Sequence, residues 1–268
     1  MEKVNVLCLK WGPRYEAAYV NRLYRAVKEH LSRPFRFVCI TDNSAGLDPA
    51  IDAVPFPEDP HVLQRPWPNI FIKLRLFKKG FADLVGPTLF LDIDVLVCGP
   101  LDRFFDYCPG DFCIIHNWVE RRKLLFRDAP DIGNSSCFRF DAGTDRADQV
   151  YEIFLRDKGR EDLREVFFSH GSQKFQTRAM REAGKVTWWP DDWVASFKRQ
   201  CIPPFPFNKF VVPKYPKAAS VVAFHGRPDI DEAIAGFNGE HKGRTGLRVA
   251  HLTCLPTPWV RELWTRGE

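Results

Sequence analysis

Two aspartates, Asp92 and Asp94, lie one residue apart inside residues 88–98, the most apolar stretch of the chain. Carboxylates are costly to remove from water unless they are paired or bind a cation. Residues i and i+2 of a strand share a face, so we expect both side chains to project together from the end of a buried strand. Their hard oxygen ligands favour Mg²⁺ or Mn²⁺, which suits a bound diphosphate. The alternative is a strand that ends at Leu91, with both aspartates solvated in the following turn.

A third ligand is needed because two carboxylates alone hold a divalent cation weakly, and His225 is the best candidate. It directly follows a predicted strand at 221–224. One imidazole, one or two aspartates and two phosphate oxygens would complete an octahedron, in which Mn²⁺ accepts the nitrogen better than Mg²⁺ does. Taken alone, a histidine at a strand end is more often structural.

The strands and helices that must position these residues alternate along the chain, as in a layered α/β domain. A strand is predicted at 4–9, an amphipathic helix through 20–31 and a second strand at 35–40. Parallel strands need crossover helices, and ligands of such sheets bind at the carboxyl ends of the strands. Lys10, Trp11, Thr41 and Asp42 are therefore expected on the functional rim. Further strands are predicted at 112–116 and 136–140, and helices at 70–77, 147–155 and 173–183.

The composition is that of a globular protein, with 45% hydrophobic and 27% charged residues in a chain of 268. We predict one domain over residues 1–240 and a basic, Trp-containing C-terminal extension, 241–268, packed on it. The extension carries Lys242, Arg244 and Arg248, so it is also a candidate for contact with an anionic membrane surface. The net charge of +5 weakly favours anionic partners, and no motif supports binding to nucleic acid.

The eight cysteines show no C-x-x-C pair, and this pattern favours a reducing compartment. The first residues lack the apolar core of a secretory signal, and no stretch approaches the ~18 apolar residues that span a bilayer. The chain as given is therefore predicted to be cytoplasmic, either soluble or peripheral at the inner face of a membrane.

The motifs taken together resemble those of GT-A fold glycosyltransferases, and most closely the retaining, glycogenin-like and bacterial lipopolysaccharide galactosyltransferase-like group. The resemblance rests on segments that occur in the same order along this chain as in the family. They are residues 6–12, Tyr15, 20–24, 41–42, 73–77, 89–95 and 224–226. The resemblance implies a Rossmann-like, layered α/β domain of the GT-A type with a mostly parallel central sheet flanked by helices. It also implies metal-dependent transfer of a sugar from a nucleoside diphosphate sugar, with a UDP-sugar favoured, to a glycan or glycolipid acceptor, with retention of configuration.

The resemblance also implies roles for single residues. Asp92 would touch the donor ribose and the metal, while Asp94 and His225 would coordinate Mn²⁺ or Mg²⁺. Gln173, Asn134 and Asp92 are the expected catalytic residues. The expected nucleotide-sugar site consists of Leu9, Lys10, Trp11, Tyr15, Thr41, Asp42, Lys73, Arg75, Asp92, Ile93, Asp94, Asn134, Ser135, Ser136, Gly226 and Arg227.

Two departures from the family pattern leave the donor sugar open. Ser172 and Lys174 flank Gln173 where acidic residues are usual, and Arg227 follows His225-Gly226 in place of a Lys-Pro-Trp motif. In an inverting enzyme a carboxylate such as Asp191 or Asp192 would serve as base, although a polar turn after residues 188–190 is the favoured explanation of that pair.

Three other functions compete with this hypothesis. A haloacid-dehalogenase-like phosphatase also carries Asp-x-Asp, but its motif expects Thr or Val where this chain has Leu96. A nucleotidyltransferase would need a Gly-rich phosphate loop after the first strand, and residues 10–14 are not such a loop. A catalytically inactive carbohydrate-binding relative is the third alternative, motivated by Ser172 and Lys174.

Overall fold

The computed structural model describes residues 2–56, 72–118, 125, 131–158, 160, 172–239 and 249–266. Its strands are β1 (Val4–Lys10), β2 (Phe35–Thr41), β3 (Asp52–Pro55), β4 (Gly86–Leu91), β5 (Val95–Val97), β6 (Phe112–His116), β7 (Gly133–Ala142), β8 (Val186–Trp188), β9 (Val194–Ser196) and β10 (Val221–Ala223). Its helices are α1 (Ala17–His30), α2 (Ile72–Arg75), α3 (Asp102–Asp106), α4 (Asp145–Asp157), α5 (Ser172–Ala183), α6 (Ile230–Ala235) and α7 (Pro258–Thr265).

The contacts of the chain divide it into two compact units. The first contains Met1–Arg14, Arg33–Leu91 and Arg103–Trp189, and the second contains Tyr15–Ser32, Asp92–Asp102 and Pro190–Glu268. The predicted boundary at residue 240 stays a prediction. Within the second unit Trp264 is buried and Trp259 Nε1 donates to the Pro213 carbonyl at 2.9 Å, so both tryptophans are packed.

The first unit is built on a seven-stranded sheet of order β3-β2-β1-β4-β7-β6-β8 in the described part of the chain. The pairs β1–β2, β1–β4, β2–β3 and β6–β8 are parallel, whereas β7 runs antiparallel to both of its neighbours. Strands covered on both faces read as continuous apolar runs, and β1 and β2 are of this kind. The predicted α/β class with a mostly parallel sheet is therefore confirmed.

The second unit contains a three-stranded sheet of order β5-β10-β9. β10 pairs antiparallel with β5 and parallel with β9. Its core includes Leu96, Val222 and the stacked rings of Phe197 and Phe224, whose centroids lie 4.6 Å apart. The predicted strand at 221–224 is confirmed over 221–223.

The predicted single strand through Asp92 and Asp94 is wrong. β4 ends at Leu91, where its pairing with β7 stops opposite Cys137, and residues 92–94 form a turn before β5 begins at Val95. Both aspartates are half-buried, whereas Ile93 between them is buried. The turn gives the carboxylates access to water that a continuous buried strand would deny them.

The other predicted elements agree with the structure. The strand at 112–116 and the helices at 147–155 and 173–183 are present as β6, α4 and α5, and the strand at 136–140 extends over all of β7. The predicted helix at 70–77 is present as the short α2, while residues 70 and 71 lie outside the described residues. In the described ranges no helix is long and apolar enough to cross a membrane. All eight cysteines are free thiols, and seven of them are buried.

A buried carboxylate, Asp157, joins α4 to α5. Its oxygens accept hydrogen bonds from Arg156 Nε and from Arg178 Nη2, each at 2.7 Å, and Arg178 belongs to α5. The hydrogen bond from Arg156, joined by that from Arg178, lowers the pKa of Asp157 to about 2, although burial alone would raise it. The ion cluster thus holds α5, the helix that carries Gln173, against α4.

We expect Asp157→Asn to lower the free energy of unfolding at neutral pH by about 2 kcal/mol, because the depressed pKa stabilises the folded state. This stability is present above the ordinary pKa of 3.8 and is lost as the pH falls towards about 2. Urea titrations at a series of pH values should therefore show a difference from wild type that shrinks in acid. Asp106→Asn, which removes an exposed partner of Arg33, is the control with little expected effect.

Candidate functional site

One edge of the first unit's sheet collects polar residues. Strands β1, β2, β4 and β6 share one direction, so their carboxyl ends meet at this edge, and the antiparallel β7 begins there. We call it the carboxyl edge. It is formed by Lys10, Thr41, Leu91, His116 and Gly133–Ser136, with the residues that directly follow the strands. In open α/β sheets this edge is where ligands bind.

The ends of β1 and β2 are fixed by hydrogen bonds to the two loops that follow them. Lys10 is buried and its Nζ donates to the Asn43 carbonyl at 3.3 Å, while Thr41 Oγ1 donates to the same carbonyl at 2.9 Å. The Asp42 carboxylate accepts from the Gly12 N–H at 3.0 Å. Gly12 has a φ of +70°, which a side chain would disfavour, so the turn after β1 requires glycine here.

Leu9 and Trp11, the apolar residues of the expected site in this region, precede and follow Lys10, the last residue of β1. Leu9 is half-buried against the core of the first unit. Trp11 is 45% exposed and its ring lies 6.1 Å from that of Phe56, measured between centroids. A solvent-facing indole at the end of a parallel strand is a surface on which a planar base can stack.

The start of β7 contains a bulge that the sequence analysis did not predict. Ile115 pairs with Asn134 but Ile114 pairs with Phe138, so Ser135, Ser136 and Cys137 have no register partner in β6. Asn134 Oδ1 accepts from the Ser136 N–H at 2.9 Å and supports the bulge. Bulges re-aim side chains and are frequent next to active sites. Asn134, Ser135 and Ser136 are all buried polar residues at the carboxyl edge.

Lys73 and Arg75, two residues of the expected nucleotide-sugar site on α2, have different environments. Lys73 is buried, its Nζ donates to the Ser135 carbonyl at 3.2 Å and lies 4.8 Å from the centre of the Phe90 ring. Arg75 instead places its guanidinium over the rings of Phe81 and Tyr151, at 5.8 and 5.2 Å. The structure therefore places Lys73, and not Arg75, beside the bulge of β7.

Gln173, the predicted catalytic glutamine, is oriented by a residue that the sequence analysis missed. Asn117 follows β6 directly and its Nδ2 donates to Gln173 Oε1 at 2.7 Å. Since Oε1 faces Asn117, the Nε2 donors of Gln173 point away from it. Its place in the sequence could have identified Asn117, because it directly follows a predicted strand, just as Asp42 directly follows β2.

The ends of β6 and β8 contribute a pair of stacked rings to the same edge. His116 ends β6 and stacks on Trp188, with 4.0 Å between ring centroids. His116 Nε2 lies 3.9 Å from Asp131 Oδ2. Neither His116 nor Trp188 belonged to the predicted site.

The second unit brings the acidic turn next to the late histidine. The Phe224 N–H donates to the Asp94 carbonyl at 3.1 Å, continuing the β5–β10 ladder, so His225 is the next residue along the strand opposite residues 92–94. Tyr15 OH donates to Asp94 Oδ2 at 3.4 Å. The structure therefore brings the predicted residues Tyr15, Asp94 and His225 to one end of this small sheet.

His225 is held as a neutral imidazole. Burial, reinforced by the positive charges of Lys198 and Arg199, lowers its pKa to about 3. Its Nε2 lies 2.6 Å from Ser196 Oγ, a buried hydroxyl at the end of β9. A neutral imidazole is the form that binds metals.

The residue types fit a divalent cation, but their side chains do not form a complete ligand set. Half-buried carboxylates and a neutral imidazole are the donors that Mn²⁺ accepts. Yet within the described ranges no three His, Cys, Asp or Glu side chains are grouped closely enough to hold a metal ion. A cation would have to compete with Ser196 for Nε2 of His225 or use Nδ1. Metal binding by Asp92, Asp94 and His225 stays a prediction.

A lysine that the sequence analysis missed lies over the His225–Gly226 turn. Lys198 Nζ donates to the His225 carbonyl, and burial lowers the pKa of Lys198 to about 8. The predicted Arg227 forms an ion pair with Glu232, the N3 residue of the capping box that begins α6. The sequence did not identify Lys198 as a candidate, because Lys198 lies in a short helical turn after β9 that contains no recognisable motif.

The fold described above is that of GT-A glycosyltransferases, as the motifs implied. The chain is similar to the galactosyltransferase LgtC in complex with donor and acceptor sugar analogs, with a TM-score of 0.54 and 16% identity over 97% of this chain and 99% of that one. It is also similar to the bifunctional glycosyltransferase WbbM, with a TM-score of 0.53 and 12% identity. A further match is the glycosyltransferase GlyE from Streptococcus pneumoniae, with a TM-score of 0.54 and 12% identity.

The last two matches are longer proteins. This chain is covered over 98% by each, but it spans 51% of WbbM and 61% of GlyE. No family model and no curated protein matches the sequence. At these identities the likeness establishes the fold, and the function is argued from the site.

A buried threonine ties Gln173 to the bulged strand and gives a test of the architecture. Thr177 Oγ1 accepts from the Gly133 N–H at 2.9 Å and donates to the Gln173 carbonyl at 2.8 Å. We expect Thr177→Val to lower the free energy of unfolding by about 1–3 kcal/mol, because it leaves a buried N–H without an acceptor. Urea denaturation measures the change. Thr265→Val is the matched control, since Thr265 makes the same bond to a carbonyl four residues earlier on an exposed helix end.

Proposed function

We propose that this chain is a glycosyltransferase that moves a sugar from a nucleoside diphosphate sugar, with UDP as the favoured nucleotide, to a glycan or glycolipid acceptor. The observation that carries the proposal is the fold match over nearly the whole of the chain and of LgtC, combined with the polar residues at the carboxyl edge. LgtC, WbbM and GlyE are all glycosyltransferases. The eight free thiols favour a reducing compartment, so we place the reaction in the cytoplasm.

The nucleoside would bind at the ends of β1 and β2. Trp11 offers an exposed ring face for the base, and Thr41 and Asp42 offer polar groups held by local hydrogen bonds. Lys10 adds a buried positive charge at the same strand end. Binding groups that are already fixed lose little entropy when the ligand arrives.

The diphosphate leaving group needs positive charge, because negative charge builds on it as the bond to the sugar breaks. We propose Lys73 in the first unit and Lys198 in the second unit as the candidates for this role. Both have their ammonium groups anchored on backbone carbonyls, of Ser135 and His225 respectively. We propose Lys198 for this role and not Arg227, because Arg227 forms an ion pair with Glu232.

Asp92, Asp94 and His225 would hold the divalent cation, Mn²⁺ or Mg²⁺. When bound, such a cation neutralises the departing diphosphate as a Lewis acid. Ser196 orients the imidazole, and Tyr15 orients the Asp94 carboxylate.

Gln173 would face the donor sugar. One of the compared LgtC structures is an active-site mutant in which a glutamine was replaced by glutamate. In this chain Asn117 fixes the carbonyl end of the Gln173 amide, so the amide donors are directed to the other side. An amide is a poor nucleophile compared with a carboxylate, which disfavours a covalent sugar–enzyme intermediate. The acceptor hydroxyl would then attack the sugar on the face from which the diphosphate departs, and the configuration would be retained.

The direct test is to incubate the purified chain with UDP- and GDP-sugars, with and without Mn²⁺, and to measure nucleotide release and thermal stabilisation. We expect stabilisation by a UDP-sugar that depends on Mn²⁺, together with release of UDP when a glycan acceptor is added. Release of inorganic phosphate through an aspartyl-phosphate on Asp92 would instead identify a phosphatase. Binding of sugar without any release of nucleotide would indicate an inactive carbohydrate-binding protein.

We predict that Asp94→Ala abolishes the Mn²⁺-dependent part of UDP binding while the melting temperature without ligand stays within a few degrees of wild type. The reason is that Asp94 lies in a half-buried turn and not in the core. Isothermal titration calorimetry with UDP and Mn²⁺ measures the change. Asp145→Ala removes an exposed carboxylate of α4 and should bind UDP as wild type does. Unchanged UDP affinity in the Asp94 variant would contradict the cation site.

We further predict that Gln173→Ala lowers kcat by about 10-fold or more, while the affinity for UDP is unchanged, because Gln173 contacts the sugar and not the nucleotide. Gln149→Ala, an exposed position on α4, is the matched control. Initial rates of transfer and UDP titrations give the two quantities separately. An equal loss in both quantities would place Gln173 at the nucleotide instead.

A further inference from the structure

A loop of the second unit presents a concentrated apolar surface. In the described part of the chain nine large apolar side chains are exposed, and six of them belong to residues 205–215. We call residues 203–217 the aromatic loop. Phe207 and Phe210 are its most exposed rings, at 61% and 76%. The exposed members are Phe205, Phe207, Phe210, Val211, Val212 and Tyr215.

The exposure is built into the fold, because the loop is anchored at several points. Asn208 is fully buried and its Nδ2 donates to the carbonyls of Ala250 and Thr253, at 2.7 and 2.8 Å. Trp259 Nε1 donates to the Pro213 carbonyl at 2.9 Å, and Tyr215 OH donates to the Cys98 carbonyl at 3.0 Å. These anchors turn the polar and backbone groups inward, so that the phenylalanine and valine side chains face solvent.

The segment of chain that carries this surface contains charged residues of one sign. Residues 193–228 contain six Lys or Arg and no Asp or Glu. Lys209, Lys214 and Lys217 are exposed members of the aromatic loop, and Lys209 Nζ lies 5.5 Å from the centre of the Phe205 ring. Aromatic and aliphatic side chains surrounded by lysines are the composition of proteins that insert into the headgroup region of anionic bilayers.

We propose that the aromatic loop is a docking surface for an anionic lipid bilayer. The phenylalanine and valine side chains would enter the boundary between headgroups and acyl chains, and the lysines would meet lipid phosphates. A second copy of this chain fits less well, because two such loops would bring their lysines together without an acid in residues 193–228 to pair with them. The surface also differs from the basic C-terminal extension, which was the candidate for membrane contact in the sequence.

The test is flotation of the full chain with vesicles of phosphatidylcholine alone and of phosphatidylcholine mixed with phosphatidylglycerol. We expect binding only to the mixed vesicles, weakened by salt because the lysine contribution is screened. F207S combined with F210S should lower the partition coefficient by about 10-fold or more, because it removes the two rings that would be buried in the lipid. K209Q with K214Q and K217Q should lower it by about fivefold for each lysine removed.

The control variant is Val85→Ser, which removes an apolar side chain that is 76% exposed in the first unit. It should bind vesicles as wild type does, and all these variants should keep the wild-type melting temperature because the substituted side chains are exposed. Lipid binding is measured without donor or acceptor, so its result is independent of whether the proposed sugar transfer holds.

Several outcomes would overturn the proposal. Absence of wild-type binding to the mixed vesicles is one, and an equal loss in Val85→Ser is another. A third is loss of binding in K242Q with R244Q and R248Q but not in the loop variants, which would assign the membrane contact to the C-terminal extension. A fourth is a change from dimer to monomer in F207S with F210S during sedimentation velocity, which would identify a second copy as the partner.

Discussion

The pairing of β5 with β10 is the constraint on which the candidate site of the second unit depends. It joins residues 95–97 to residues 221–223, and the added bond from Phe224 to Asp94 sets the position of His225 against the acidic turn. A shift of one residue in this register would exchange His225 for Phe224 and place a ring of the core where an imidazole is needed. Stacking of Phe224 on Phe197 in the core opposes such a shift.

Fixed positive charge is a property of candidate residues in each of the two units, taken separately. Lys10 and Lys198 each hold an ammonium group on a backbone carbonyl, of Asn43 and His225 respectively. A carbonyl orients a lysine without neutralising it, whereas a carboxylate would cancel its charge. Arg227, which pairs with Glu232, shows the contrast. Charges arranged in this way are ready for an anion without further reorganisation.

Local periodicity in the sequence was sufficient to predict β1, β2, β6, α4 and α5, because burial of one face dictates where apolar residues recur. It did not predict the turn at residues 92–94 or the bulge of β7. Both depend on pairing partners far along the chain, since the pairing of β4 with β7 stops at Leu91 opposite Cys137 and the bulge arises opposite Ile114 and Ile115. Asn117 and Lys198 were missed for the same reason: their partners, Gln173 and His225, lie 56 and 27 residues away.

The second unit is assembled from three separate parts of the chain, and this affects the order of events during synthesis. The first unit is complete in sequence at Trp189, whereas β5 emerges from the ribosome well before β9 and β10, its companions in the three-stranded sheet. Until those strands are translated, the apolar run Val95–Val97 has no sheet to join. A nascent chain that has reached about residue 190 therefore exposes an unpaired hydrophobic strand, which is the kind of segment that chaperones protect.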